Sequence, residues 1–389
     1  MAFTLVVNPG SSSKKFALYQ DRTAKLTAYV ERSADGFEMC TTVGSTQQRC
    51  NVLDKNDYKD SLNNFLKLAV SEKHISDYAT ITKVAVRAVA PGTYFQEHRV
   101  VDAEYLAELA KLVTIAPLHI PHLLQEIEAI KKFLPSARIL AISDSAFHKT
   151  MPAVSRQYAI STADSERFDV FRFGYHGLSV ASVMRRVEKI ATRPVKRAVV
   201  CHIGSGVSVT AVVEGKSVDT TMGYAPGSGL VMGSRAGDID PGALLVLMQA
   251  KNLKPSDAQV YLQSSGGLRA LAGEADLRVL LERRSRGDAA AESAIASFVY
   301  HIQKAIGAYV AVLSGIDALI FTATASERSP ALRALIVEKL AGLQITLDTD
   351  KNEACFSRDG VLSKEGSVVE VLVIKTNEAD EILHASLTL

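Results

Sequence analysis

Only four cysteines occur in the 389 residues, Cys40, Cys50, Cys201 and Cys355. None forms a CxxC pair, so the sequence suggests neither a disulfide framework nor a thiolate metal site. Net charge is also missing. The 44 basic and 42 acidic residues leave +2, which speaks against a basic nucleic-acid face and against an acidic tail. The short basic runs, "KK" at Lys131 and "ERRSRGD" from Glu282, read as solvated helix faces. No uninterrupted apolar stretch is long enough to cross a bilayer, and the first apolar run breaks at Asn8-Pro9-Gly10, unlike a signal peptide. With 47% hydrophobic residues, the expectation is a cytoplasmic protein of two domains with no nucleic-acid or membrane partner.

What is present is a rhythm of strands and helices. The segments "FTLVV", "KFALYQ", "KLTAYVE" and "GFEMCTTV" read as strands, followed by a helix in "YKDSLNNFLKLAVSE" and a buried strand in "ITKVAVRAV". "DAEYLAELAKLV" and "IPHLLQEIEAIKKFL" carry the helical spacing, the first with Asp102 at its start. "ARILAISD" is a strand. A second series, "KRAVVCHIGSGVSVTAVVEGKSVDTT", repeats the plan of the first thirty or so residues: strand, glycine-bearing turn, strand, turn, strand. This predicts an internal duplication of α/β domains, each opening with a hairpin whose turn faces a shared cleft. "DALIFTATASERS" reads as a strand and loop, and "VVEVLVIKTNEADEILHASLTL" as a strand and a final helix.

The chemistry gathers at a few places. The turns in "NPGSSSKK" and "HIGSGVSV" can cradle an anion through converging N–H groups, although neither has Walker A spacing and each alone reads more readily as an ordinary hairpin, a balance that their duplication narrows. "MGYAPGSGLVMGSRAGDIDP" is too glycine-rich for a regular element and too apolar for a surface linker. Its Arg235 fits bidentate capture of a phosphoryl or carboxylate group, or else pairs with Asp238 to tie the loop. Arg87 ends an apolar strand, where a charge must be paired or aimed at a ligand. Asp144 follows a strand, the place where open α/β sheets put functional residues. His176, between glycines, can stabilise a transferring phosphoryl group, act as a base, or be a satisfied core histidine. Asp144 and Glu378 suit Mg2+ held largely through water and substrate oxygens, or structural caps.

The ordered motifs "NPGSSSKKF", "APLHIP", "SDSAFHKTMP", "FGYHGLS", "HIGSG", "DTTMGYAPGSGLVMGSRAGDIDP" and "TNE" resemble the acetate kinase family of the acetate and sugar kinase/Hsc70/actin superfamily, over essentially the whole chain. The resemblance implies an α/β fold of duplicated ribonuclease H-like (actin-like ATPase) domains with a central cleft. Residues 1–148 would form the first, rejoined by 379–389, and 149–378 the second. It implies a homodimer that moves a phosphoryl group between ATP and acetate or propionate, with Mg2+ or, in its place, Mn2+. Arg87, Asp144, His176 and Arg235 would be catalytic, with Arg87 also binding the carboxylate. Val89, Leu118, Tyr175 and Pro226 would line the acyl pocket, and Asn8 and Glu378 would serve the metal. Ser13, His202, Gly204, Gly206, Asp276, Arg278, Ala323 and Glu327 would face the nucleotide. His119 matches the histidine of the family's "PLHNP" segment.

The chain departs from the family pattern in places. "GHRxVHGG" is here "AVRAVAPG", "HLGNG" is "HIGSG", Val180 replaces a histidine, and "SSDxR" survives only as "EADLR". On the purine side "GGIGEN" has become "ATASER", Ala323 to Arg328, which replaces glycines with residues that fill space. Three readings follow: an ATP-dependent carboxylate kinase, the same chemistry with a smaller donor such as pyrophosphate, or a non-catalytic nucleotide- or anion-binding module. A sugar kinase would need a polar sugar pocket, and a chaperone a peptide-binding domain for which the chain has no room.

Overall fold

The computed structural model describes residues 2–10, 13–33, 36–44, 48–54, 58, 60–117 and 119–389, with 32 and 33 described in backbone only. The chain divides into two compact units. One holds residues 1–90, 97–144 and 378–389, the other 91–96 and 145–377. Residues 145–148 thus fall in the second unit.

The first unit is built on an eight-stranded sheet. Its strands are β1 (Phe3–Pro9), β2 (Ser13–Gln20), β3 (Thr23–Ser33), β4 (Gly36–Thr42), β5 (Arg49–Leu53), β6 (Ile81–Ala88), β7 (Arg99–Val100) and β8 (Arg138–Ser143). They lie in the order β5-β4-β3-β2-β1-β6-β8-β7. The second unit has a six-stranded sheet of β9 (Arg197–Ile203), β10 (Val207–Val213), β11 (Lys216–Thr220), β12 (Ala318–Thr322), β13 (Gly360–Val361) and β14 (Glu370–Val373), ordered β11-β10-β9-β12-β14-β13. The cores of both sheets match. β3-β2-β1 and β11-β10-β9 are antiparallel, and β1, β6, β8 and β9, β12, β14 are parallel. The duplication read from the sequence is therefore a duplication of topology, with β4, β5, β7 and β13 added at the edges.

The parallel strands explain their own sequences. A strand covered on both faces reads as a continuous apolar run, and every residue of β12, "ALIFT", is buried. Helices cover the sheets. In the first unit Asp102 caps the helix Ala103–Lys111 by accepting the Tyr105 N–H at 2.8 Å, and the terminal helix Glu378–Ser386 lies against β1, β6 and β8. In the second, the helix Gly177–Met184 buries Val180 and Val183 against Val200, Ile320 and Leu372. Val180 thus serves the core where the family has a histidine.

The helix Ala289–Val312 is long and apolar enough by length and composition to cross a membrane, although Glu292, His301, Gln303 and Lys304 interrupt its apolar run. Its face of Ala291, Ala294, Ile295, Phe298, Ile302 and Ile306 is buried within the second unit, as in a core helix. One correction concerns the cysteines. Cys40 and Cys50 are directly paired across β4 and β5 and joined in a disulfide, while Cys201 and Cys355 are buried thiols. Strand pairing, not sequence spacing, brings the two together. In a reducing compartment such a pair is held as thiols.

Arg333, on the helix Pro330–Val337, is fully buried and meets oxygen acceptors on every side. It donates to the Ser326 carbonyl at 2.5 Å, Asn352 Oδ1 at 2.8 Å and carbonyl at 2.9 Å, and the Cys355 carbonyl at 2.7 Å. Its loss would leave those buried acceptors unpaired. Arg333→Met is expected to cost about 2–4 kcal/mol, read as a lower urea midpoint. A midpoint equal to wild type would mean that these bonds contribute no net stability.

Candidate active site

In the first unit three neighbouring parallel strands end together, and each ends in a polar side chain. Asn8 lies near the end of β1 and Arg87 near the end of β6, while Asp144 follows β8. The register sets Val7 beside Val86 and Ala88 beside Ser143, and the Asp144 N–H donates to the Ala88 carbonyl at 2.9 Å. Asp144 is fully buried. Arg87 meets it with two parallel bonds, Nε to Oδ1 at 3.1 Å and Nη2 to Oδ2 at 2.9 Å. Its Nη1 donates to Asn8 Oδ1 at 3.3 Å, and Asn8 Nδ2 donates to Glu378 Oε2 at 2.7 Å. Burial works against the guanidinium's charge, but Asp144 and then Glu378 outweigh it and hold the pKa above its ordinary value. Three of the five N–H donors of Arg87 are used. Two are left over among the described residues.

Asn8, Asp144 and Glu378 offer only oxygen donors of the hard kind that Mg2+ takes, within one hydrogen-bonded network. Two carboxylates suit an ion that usually keeps several waters. Ser13 opens β2, where its carbonyl accepts the Gly10 N–H at 2.8 Å across the β1–β2 turn. Val89 is half-buried just beyond β6, and His119 stands at the N-cap of the helix Ile120–Phe133. Leu118 lies outside the described residues.

The second unit gathers a different set. His176 is the N-cap of the helix Gly177–Met184 at φ 60°, entered through Gly174 at φ 73°. A side chain on Gly174 would begin 2.7 Å from the His148 ring, so that position excludes one. The His176 and His202 rings stack with centroids 3.8 Å apart and planes 19° from parallel. Each shares a hydrogen bond through Nδ1 with a serine hydroxyl, His176 with Ser208 at 3.0 Å and His202 with Ser179 at 2.8 Å. His148 is satisfied in the core by Ser217 Oγ and the Tyr175 carbonyl, both at 2.9 Å. The sequence named His176 and His202 but not their serines. Ser208 lies on β10 and Ser179 on the helix, at positions that nothing in the local pattern distinguishes.

The loop that carries Arg235 is tied by Asp238, which accepts the Gly229 N–H at 2.7 Å and donates its own to the Gly229 carbonyl at 2.8 Å. Arg235 turns its Nη1 to the Pro226 carbonyl at 3.0 Å. The turn between β9 and β10 approaches the side chains of both His176 and Arg235. A Cβ on Gly206 would begin 2.9 Å from His176 Nε2 and 3.3 Å from Arg235 Nη1, so only bare backbone fits there. Tyr175 is buried with its hydroxyl on the Tyr224 carbonyl at 2.7 Å, and Pro226 is buried beside Arg235.

The "ATASER" segment is not a loop. Ala323 follows β12 at φ 70°, ψ 162°, and Thr324–Arg328 form a short helix. That backbone conformation belongs essentially to glycine and costs an alanine about 1–3 kcal/mol. Glu327 holds it. Its Oε1 accepts the Ala323 N–H at 2.8 Å and the Thr376 N–H at 2.9 Å, and burial pushes its pKa up. Arg328 is exposed at the helix end. Asp276 caps the helix Leu277–Ser285 and pairs at 2.6 Å with Arg278, whose hydrogen bond lowers the Asp276 pKa.

A model of the acetokinase family matches residues 3–384. The acetate kinase of Dictyoglomus turgidum is 36% identical over 382 residues, 96% of this chain and 94% of its own. Among solved structures, a propionate kinase from Francisella tularensis matches with a TM-score of 0.89 at 31% identity, over 99% of both chains. Porphyromonas gingivalis acetate kinase matches with a TM-score of 0.85 at 30% identity, over 100% of this chain and 99% of its own.

Asp144→Ala removes the anion from a largely buried guanidinium and is expected to destabilise the fold by about 3–5 kcal/mol, read by urea unfolding. A loss under about 1 kcal/mol would place the pair among exposed-type bridges with little net worth.

Proposed function

This chain belongs to the acetokinase family, and from that premise we propose that it moves a phosphoryl group reversibly between ATP and acetate or propionate. One observation carries the reading. Arg87, fixed by Asp144 and Asn8, keeps two N–H donors at the carboxyl ends of parallel strands, where open sheets receive their ligands. Two donors on one planar guanidinium suit a carboxylate.

In this reading a carboxylate oxygen attacks the terminal phosphorus of the donor. The new O–P bond forms as the bond to the ADP oxygen breaks, and ADP leaves with the electron pair. Two anions must meet, so the site has to neutralise their repulsion and hold the reacting groups in line. Arg87 holds the acceptor. Arg235 and the Nε2 edge of His176, set around the bare backbone of Gly206, stabilise charge on the phosphoryl oxygens. Asp144, with both oxygens on Arg87, acts through that side chain and is a positioning residue. Glu378, with Asn8 beside it, would hold Mg2+. The ion adds charge neutralisation on the phosphates.

Val89, Tyr175 and Pro226, with Leu118, belong to the acyl side in this reading. One methylene more or less is worth about 1–3 kcal/mol in such a pocket, so acetate and propionate are both accepted. A smaller donor such as pyrophosphate is the second reading, favoured by Ala323 where backbone geometry asks for glycine. A cytoplasmic location goes with either donor.

The acting form is a homodimer. The helix Pro241–Lys251 is apolar in sequence, yet none of its residues is buried, and Leu245 and Val246 are 65% and 66% exposed. A face of that kind marks a surface covered in the working assembly.

Acyl phosphate trapped with hydroxylamine, from acetate and Mg2+ with ATP, GTP or pyrophosphate in turn, tests the reaction. Turnover with ATP is expected, and Arg235→Ala should lower kcat by about 100-fold or more with the fold intact by circular dichroism. Folded wild-type protein silent with all three donors would reject the reading. For the assembly, the double variant Leu245→Glu, Val246→Glu should run as a monomer in light scattering at a concentration where wild type is a dimer. A dimer in both would remove this helix from the interface.

A further inference from the structure

At the edge of the first sheet a side chain stands in for a strand. β7 is the outermost strand and pairs with β8 only at Arg99–Ala141 and Val100–Leu140. Alternate residues of β8 turn their N–H groups to opposite sides, and the Asp144 N–H goes to the Ala88 carbonyl of β6 at 2.9 Å. That sends the Ser143 N–H outward, past the end of the paired stretch. Ser143 is buried, and a buried N–H left without an acceptor costs about 1–3 kcal/mol. His98, just before β7, meets it: its Nδ1 accepts the Ser143 N–H at 3.1 Å. The backbone that leads into Asp144 is thus held on both sides, by β6 at one residue and by an imidazole at the one before it.

A ring nitrogen that accepts carries no proton. The bond therefore needs the neutral ring with its hydrogen on Nε2, and the imidazolium cannot make it. Burial alone moves the His98 pKa, downward, which keeps the ring neutral at pH 7. Glu97 and Arg99, its neighbours in sequence, pair with each other at 2.9 Å. Arg87 and Asp144 pair likewise, and Arg138, at the far end of β8, donates to the Leu389 carbonyl at 3.2 Å. The helix Glu378–Ser386 that lies against β8 carries Glu378, Asp380, Glu381 and His384. With the folded pKa lowered, the bond is complete above the ordinary histidine value and is lost as pH falls through the lowered one.

We propose that His98 is a positioning residue for the carboxylate acceptor. Through the Ser143 N–H it fixes the end of β8, so that Asp144 holds the Arg87 guanidinium with its two remaining donors turned to the acceptor. The proposal rests on the carboxylate kinase reading and adds to it a residue that acts only through Ser143 and Asp144. A small misplacement of such a group weakens acceptor capture about 10-fold or more.

Two variants test it. His98→Leu removes the acceptor, whereas His98→Asn keeps an oxygen near the Nδ1 position and does not titrate. At about pH 8, His98→Leu should raise the acetate KM about 10-fold with the ATP KM changed less than about twofold, and His98→Asn should return the acetate KM to within about threefold of wild type. The acetate KM of wild type, divided by that of His98→Asn, should rise as pH is lowered from about 8 to about 5. Taking the ratio cancels the titration of the substrates and of every other group. An acetate KM unchanged in folded His98→Leu overturns the proposal, and so does an equal rise in the KM for acetate and ATP, which would mean general loosening. A ratio that stays flat with pH overturns it as well, and that arm decides even if His98→Leu does not fold. Failure of the kinase reading appears separately, as absence of turnover in wild type with every donor. The same comparisons are then made on acetate binding by saturation-transfer NMR. Binding weakened in His98→Leu, or in wild type at low pH, and kept in His98→Asn supports the proposal. Equal binding by all three proteins, or no binding to wild type, overturns it.

Discussion

A guanidinium and a carboxylate at the ends of two adjacent strands, both largely out of water, set the terms for the first unit. Burying either charge alone costs several kcal/mol, and geometry has to be good for the pair to offset it. Here it is good, with two parallel bonds between Arg87 and Asp144. The register of β6 and β8 makes this so, because Ala88 and Ser143 are paired and Asp144 is tied to the Ala88 carbonyl. With its plane fixed by Asp144, Arg87 holds the Asn8 amide, which in turn holds Glu378 from the far end of the chain. Side chains distant in sequence thereby become one object with defined spare donors.

The second unit places its two histidines by different means. Two stacked imidazoles each rest on a serine hydroxyl, and bare backbone gives them room. Gly206 is the clearest case, since any side chain there would displace His176 or Arg235. Directional hydrogen bonds fix the ring planes, and the helix that presents His176 is anchored by Val180 and Val183 in the core. Preorganisation of this sort matters for phosphoryl transfer, in which the protein supplies position and charge and no covalent chemistry.

The departure at Ala323 shows how a substitution is absorbed. The sequence loses glycines after β12, and the structure keeps a glycine-type conformation at the first of them. Glu327 and Arg333 supply the bonds that hold it. The remaining residues of the segment take up a short helix that a reading of "ATASER" as loop does not anticipate. Fold and strain coexist because the clamp is made by Glu327 within the segment and by Arg333 from the next helix.

By itself the sequence determined the alternation of strands and helices, the repeat of strand, glycine turn and strand, and the family to which Arg87, Asp144, His176 and Arg235 belong. These are local or ordered features: apolar periodicity, turn residues and motifs in fixed succession. It did not contain the pairing of Cys40 with Cys50, the serine partners of the histidines, the burial of one face of Ala289–Val312, or the left-handed backbone at Ala323. Those depend on which residues strand register and packing bring together, and register is a property of two segments at once. Tertiary structure likewise set the surroundings of Arg235. Asp238 ties the loop through Gly229, and the guanidinium lies against Pro226 and beside Gly206. A charge in a sequence states only that it must be accommodated, and the fold decides by what.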